Sequence, residues 1–245
     1  MSGTGAKGWT REAWLEPLRG LRGRDLLSVT DVSAEELRGV MSLAREIKRD
    51  LTPWSRSLEG RQVVLLFEKP SLRTRLTFEV GVAKLGGTAL YVDHAHTRIG
   101  ERESVRDYGR NLERWLHGIV ARVFSQSVVE ELAGAAGVPV INGLSEMYHP
   151  CQAMADVFTL QERLGDLRGR RVTYVGDGNN VCHSLMHAAA LLGMDVTAVT
   201  PQGREPKLAE VAWARGKASA NGSSVEVSND PEAVRGADAV YTDVW

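Results

Sequence analysis

Two hydroxyls and two guanidinium groups fall within one short stretch, Ser71-Leu72-Arg73-Thr74-Arg75, directly after Phe67-Glu68-Lys69-Pro70. Residues 63–67, Val-Val-Leu-Leu-Phe, form a continuous apolar run, the pattern of a strand buried on both faces. Pro70 interrupts it, and Ser71 is a favourable N-cap for a helix over 72–85 that closes at Gly86-Gly87. The first turn of such a helix points free backbone N–H groups and a positive dipole end the same way as the side chains. An Arg there is unfavourable unless an anion compensates it. The stretch therefore reads as an anion site, of a size for one phosphate or phosphate ester.

Further candidates lie at other predicted strand ends. Arg122 sits in Ala121-Arg122-Val123, an otherwise apolar strand pattern, and a buried Arg needs a paired anion. A structural salt bridge and a ligand oxygen both meet that need. His149-Pro150-Cys151-Gln152 opens a helix, with Pro at its first position. His149 there serves either as a simple cap or as a donor to a developing oxyanion, and Gln152 is suited to binding an amide-like NH2. Asp156, one turn on, would orient these neighbours. Gly176-Asp177-Gly178-Asn179-Asn180 lacks the third glycine of a dinucleotide fingerprint, and the next strand ends at Thr200 rather than an acid, so a nicotinamide site is disfavoured. The adjacent Asn side chains suit an amino acid's polar groups. Asp243 ends the last strand and is either an ammonium partner or an exposed turn carboxylate. His94-x-His96 and His183-x-x-x-His187 come with no matching acid or thiolate cluster, so no metal is expected. Cys182 reads as a small buried apolar residue.

The elements that must position these residues alternate regularly. A capping box, Ser33 to Glu36, starts a helix whose apolar stripe runs Leu37, Val40, Met41, Leu43, Ala44 and Ile47. Strands are then predicted over 63–67, 89–92, 118–123 and 138–142, and helices over 72–85, 104–116, 128–136 and 149–164. Residues 165–169, with a Gly at each end, form the expected hinge. A second series follows, with strands over 172–175, 196–199, 225–227 and 239–242 and helices over 181–192, 207–220 and 232–235. Such alternation implies parallel sheets with right-handed crossovers. The fold class is α/β, two doubly wound parallel-sheet domains facing a cleft: an N-terminal extension (1–23), a first domain (24–165) and a second (166–245). The second series is short, so that domain is expected to be incomplete. At 245 residues, two domains are the ordinary expectation. The formal net charge of −1 gives no general attraction to nucleic acid or to an anionic membrane. No apolar run approaches a bilayer span. Two cysteines exclude a disulfide scaffold and fit a reducing cytoplasm.

Taken together and in this order, the segments 67–75, 121–123, 149–152, 176–180 and 242–245 resemble the motifs of the aspartate/ornithine carbamoyltransferase family, and Phe67-Glu68-Lys69 and Asp177-Gly178-Asn179-Asn180 resemble its ornithine-type members. The resemblance implies a carbamoyltransferase-like fold and transfer of a carbamoyl group from carbamoyl phosphate to the side-chain amine of L-ornithine, giving L-citrulline and phosphate in arginine metabolism, whether biosynthesis or degradation. Ser71, Leu72, Arg73 and Thr74 would hold the phosphate and Arg75 would support the loop. Arg122, His149 and Thr74 would polarise the carbamoyl carbonyl, Gln152 would bind its NH2, and Asn180 and Asp243 would hold ornithine. No metal or organic cofactor is implied, and the assembly is expected to be a homotrimer or a multiple of trimers. The alternatives are a sibling transferase acting on N-acetylornithine, putrescine or aspartate, and a non-catalytic carbamoyl-phosphate-binding protein. Arg98 departs from the Gln that ornithine-type members carry in a Gln-Ile-Gly loop. The family's Ser-Met loop and His-Cys-Leu-Pro segment do not occur in these 245 residues, so binding of the phosphate end is expected to exceed turnover.

Overall fold

The computed structural model describes residues 11–243. The first ten residues of the expected extension, and Val244 and Trp245 of the last motif, lie outside them. Helix α1 (Arg11–Arg19) packs on α2 (Ala34–Arg49). Ser33 caps α2 as expected: its Oγ accepts from Glu36 N at 3.1 Å, and its own N–H donates to Glu36 Oε2 at 2.7 Å. A second capping box, unforeseen, starts a short 3-10 turn (Val29–Asp31), where Asp31 Oδ2 accepts from the N–H of Leu27 and of Ser28.

The first sheet contains β1 (Gln62–Phe67), β2 (Thr88–Asp93), β3 (Gly118–Arg122) and β4 (Val140–Leu144), all parallel, in the order β2-β1-β3-β4. Helices α3 (Leu72–Lys84), α4 (Val105–Leu112), α5 (Gln126–Ala135) and α6 (Pro150–Leu164) alternate with the strands. Both faces of β1 are covered, which is why its sequence is an unbroken apolar run. Leu65 and Phe67 pack with Val120, Phe78 and Tyr91 on one side, and Val64 and Leu66 pack with Ile119, Ala121, Val129 and Leu132 on the other. Leu26 pairs with Ile141 and covers part of the β4 edge.

The second sheet contains β5 (Arg171–Val175), β6 (Asp195–Val199), β7 (Val225–Ser228) and β8 (Ala239–Thr242), again all parallel, in the order β7-β6-β5-β8. Helices α7 (Asn180–Leu192) and α8 (Leu208–Asn221) connect them, and the segment expected as a helix over 232–235 is a 3-10 turn, Pro231–Val234. Residues Val181 to Leu192 of α7 are all buried. A helix apolar on every side needs cover on every side, and α7 obtains it from its own sheet and α8, and from α6 and α2 of the first half. One core thus runs from Leu37, Met41, Ala153 and Val157 through Leu185 and Met186 to Tyr174 and Ala198.

In each sheet the chain leaves a central strand in one direction and returns on its other side. The reversal points fall between β1 and β3 and between β5 and β8. A crevice opens outside the carboxyl ends of the strands at such points. Every candidate of the first group follows β1, β3 or β4, and every candidate of the second follows β5 or β8.

Candidate active site

The helix start is built as the sequence predicts. Ser71 Oγ accepts from Thr74 N at 3.3 Å and donates to Thr74 Oγ1 at 3.0 Å. Leu72 projects outward with 75% exposure, so its contribution here is its backbone N–H. The two arginines of the turn behave differently. Arg75 Nε bonds Glu79 Oε1 at 3.0 Å and its guanidinium lies 3.8 Å from the centre of the Tyr91 ring. Arg73 is exposed and, among the described residues, has no ion-pair partner.

Arg122 ends β3 opposite this turn. A register shift there sets Ala121 against Asn142 and Arg122 against Leu144, so Gly143 is an extra residue on β4. A Cβ on Gly143 would lie 3.3 Å from Ala121 O and Val120 Cγ1. The bulge bends the strand end where Arg122 leaves the sheet. Burial, then the Arg73 guanidinium, hold the Arg122 pKa below its ordinary value. Burial and Arg122 do the same for Lys69. Arg122 thus has Arg73 and Lys69 as cationic neighbours, and its Nε is buried without a hydrogen-bond partner.

His149 is the N-cap residue of α6, yet its side chain makes no capping bond, which removes the simple cap role. Its backbone N–H donates to Ser184 Oγ of α7 at 2.8 Å. Burial, then Arg122, lower its pKa to about 4, while Asp243 acts in the opposite sense. The imidazole is therefore neutral near pH 7, and its Nδ1 is buried without a partner. Gln152 Nε2 donates to Asp156 Oδ1 at 2.8 Å. Burial raises Asp156 to about 6, and Asp243 adds to the rise.

The loop after β5 comes from the other side. Gly178 N donates to Arg204 O at 2.7 Å, and a Cβ on Gly178 would fall 2.1 Å from Pro206 N, so only glycine fits. Asn179, not Asn180, caps α7, accepting from Val181 N and Cys182 N, and its Nδ2 donates to Asp243 Oδ2 at 3.3 Å. Asn180 Nδ2 donates to Ser145 O at 2.5 Å, tying the two halves together.

Two supporting residues were not legible as such. Glu68 is 3% exposed and its carboxylate accepts from Ile99 N (3.0 Å) and Phe124 N (2.8 Å). It joins the loop after β2 to the end of β3. On that end, Lys69 Nζ and the Arg98 guanidinium lie 4.6 and 4.5 Å from the centre of the Phe124 ring. Ser184 is the other. A polar residue one turn into an apolar helix was the only signal for it.

Three of the paired histidines, His94, His183 and His187, are engaged within the fold. His94 bonds Thr97 O and the Tyr108 hydroxyl, each at 2.9 Å. His183 Nδ1 lies 3.1 Å from Met147 O and its Nε2 accepts from Lys207 N at 3.1 Å, which makes Nδ1 the protonated nitrogen. His187 packs 4.6 Å from Trp213, ring centre to ring centre, beside Glu210. No group of three or more His, Cys, Asp or Glu among the described residues is arranged to hold a metal ion. Two hollows, one lined by Arg38, Gln161, Asp166 and Arg168 and one by Arg24, Asp25 and Asp31, lie away from the convergent cations.

Two parallel sheets, with Ser71, Arg73 and Thr74 at a helix start by the reversal point of the first and with Asn179 and Asp243 at the strand ends of the second, define an α/β protein of two packed sheets with a cation-rich helix start. Residues 24–162 match the carbamoyl-phosphate-binding domain of aspartate/ornithine carbamoyltransferases, and residues 168–245 match their aspartate/ornithine-binding domain. The chain is 49% identical over 226 residues to the ornithine carbamoyltransferase of Deinococcus radiodurans, covering 92% of this chain and 72% of that one. It is 46% identical over 228 residues to that of Pyrococcus horikoshii, with the same coverage. The solved ornithine carbamoyltransferase from Pyrococcus furiosus superposes with a TM-score of 0.89 at 46% identity, over 92% of this chain and 73% of that one. The chain belongs to the aspartate/ornithine carbamoyltransferase family.

Proposed function

We propose that this chain transfers the carbamoyl group of carbamoyl phosphate to the side-chain amine of L-ornithine, giving L-citrulline and phosphate in arginine biosynthesis. The observation that carries the reading is that Arg122 stands near both Arg73 and His149, with two buried nitrogens, Arg122 Nε and His149 Nδ1, left without hydrogen-bond partners. Like charges held together with open hydrogen-bonding sites suit a bound oxyanion.

Ser71, the N–H groups of Leu72 and its neighbours, Arg73 and Thr74 hold the phosphate at the start of α3. Arg122, His149 and Thr74 face the carbonyl oxygen, and Gln152 faces the carbamoyl NH2. Asn180 and Asp243 hold ornithine, Asp243 by its charge. An ornithine amine has a free pKa near ~10.4 and must lose a proton before it attacks. Attack forms the new C–N bond and puts negative charge on the carbonyl oxygen. Collapse breaks the C–O bond to phosphate, and citrulline, phosphate and one proton leave. His149, neutral near pH 7, acts here as a hydrogen-bond partner and not as a charge. One fixed donor to such an oxyanion contributes about 3–4 kcal/mol to transition-state stabilisation.

The two domains are assigned as 24–165 and 166–245, after an extension over 1–23. A homotrimer, or a multiple of trimers, is supported by an apolar stripe on the outer face of α3, where Leu72, Leu76 and Val80 are 75%, 47% and 48% exposed, beside Leu90 of the edge strand β2. A cytoplasmic setting is supported by the two free cysteines, and no described helix is long and apolar enough to cross a membrane. The test offers carbamoyl phosphate with L-ornithine, N-acetylornithine, putrescine or L-aspartate to the purified protein and measures ureido product and phosphate together. Ornithine is expected to give both at the highest rate. A faster reaction with another amine would reassign the acceptor, and calorimetry detecting no carbamoyl phosphate binding would remove the reading.

A further inference from the structure

Gln152 and Asp156 stand one turn apart on α6, at the same helix start as His149. A glutamine amide is chemically two-sided, donating through nitrogen and accepting through oxygen. An ionised carboxylate only accepts. The 2.8 Å bond from Gln152 Nε2 to Asp156 Oδ1 therefore fixes which way the amide is turned, and leaves Oε1 as the end directed away from Asp156. Asp156 is itself confined, with Tyr241 of β8 and Asp243, just past the end of that strand, facing it from the second half.

We propose that Asp156 is a positioning residue that sets donor specificity, by holding the Gln152 amide so that an oxygen and not an NH2 is offered to the acyl substituent of the bound phosphate ester. This rests on the reading that carbamoyl phosphate occupies the Arg73–Arg122 site. An acyl phosphate carrying an NH2 satisfies that oxygen. Acetyl phosphate, with a methyl group in the same place, leaves it desolvated and unpaired. A site built to hydrogen-bond an NH2 rejects the analogue that lacks it, and an unpaired buried acceptor corresponds to a discrimination of about tenfold to a hundredfold.

The experiment measures affinities for carbamoyl phosphate, acetyl phosphate and inorganic phosphate by calorimetry at pH 8, above the value of about 6 to which burial raises Asp156. It compares the unmodified chain with Asp156→Asn, Gln152→Ala and the double variant. Asn is nearly isosteric and meets Gln152 with either end of its amide, so the orientation is no longer imposed. The carbamoyl-to-acetyl ratio is expected to fall to within about threefold in Asp156→Asn, with inorganic phosphate affinity within about twofold of the original. The double variant is expected to match Gln152→Ala alone, because Asp156 acts through Gln152. A ratio unchanged in Asp156→Asn overturns the proposal, as does a parallel loss for all three ligands, which would mark a merely structural role. If the unmodified chain binds carbamoyl and acetyl phosphate equally, the amide gauge is refuted while the phosphate site stands. If it binds neither, the carbamoyl phosphate reading falls and takes this one with it.

Discussion

Replacing Arg73 with Ala is expected to leave the empty protein as stable as before or slightly more so, while removing most of its affinity for carbamoyl phosphate. Arg73 occupies the second helical position of α3, where a cation opposes the helix dipole by about 0.3–1 kcal/mol. It also repels Arg122. Because Arg73 is exposed, water screens that repulsion to well under 1 kcal/mol. It forms no ion pair among the described residues whose loss would offset these gains. The empty variant should therefore gain up to about 1 kcal/mol. A charge-assisted hydrogen bond to the ligand contributes about 1.5–3 kcal/mol, so affinity should fall by about 10- to 150-fold. At a ligand concentration of about 100 times the original Kd, the unmodified protein gains about 2.7 kcal/mol from binding. A variant that binds a hundredfold more weakly gains only about 0.4 kcal/mol. Urea unfolding followed by circular dichroism, with and without carbamoyl phosphate, should thus show the order of stability reversing. A loss above about 1 kcal/mol in the empty variant, or an undiminished gain from ligand, would refute the reasoning, since either would make Arg73 a structural residue.

Two further outcomes concern stability. Glu68→Gln replaces a buried carboxylate that accepts two backbone N–H groups with an amide that sets an NH2 against one of them, and should cost about 2–4 kcal/mol. A shift in unfolding free energy below about 0.5 kcal/mol would mean that the loops at Ile99 and Phe124 are held by other contacts. Asp156 has a folded pKa of about 6, above its unfolded value of 3.8. The folded state therefore binds the proton more tightly, and this contribution is fully present below about pH 4 and is lost as pH rises through about 6. Asp156→Asn should consequently be more stable than the unmodified chain by about 2–3 kcal/mol at pH 8, with the difference vanishing near pH 4. Equal offsets at both pH values would show that the carboxyl titrates normally.

The order of strands and helices was legible in the sequence because each element is specified locally. The unbroken apolar run of β1, the capping box of Ser33 and Glu36, the Ser71 cap and the Pro150 start all work through neighbours a few residues away. The same locality marked Ser71 to Arg75 as an anion site, since the helix dipole and the side chains belong to one turn. Tertiary structure decided which of these groups are open to a ligand. Arg73 and Arg75 are alike in sequence, yet Tyr91 and Glu79 engage only Arg75. Asn179 and Asn180 are adjacent, yet one caps its helix and bonds Asp243 while the other reaches across to Ser145. Glu68 and Ser184 find their partners across 31 to 56 positions and 35 positions of chain respectively. No spacing rule encodes such pairings, because they depend on where sheet order and the packing of α6 on α7 bring distant segments together. Local periodicity fixes which elements form, whereas burial and charge at the strand ends depend on the assembled whole.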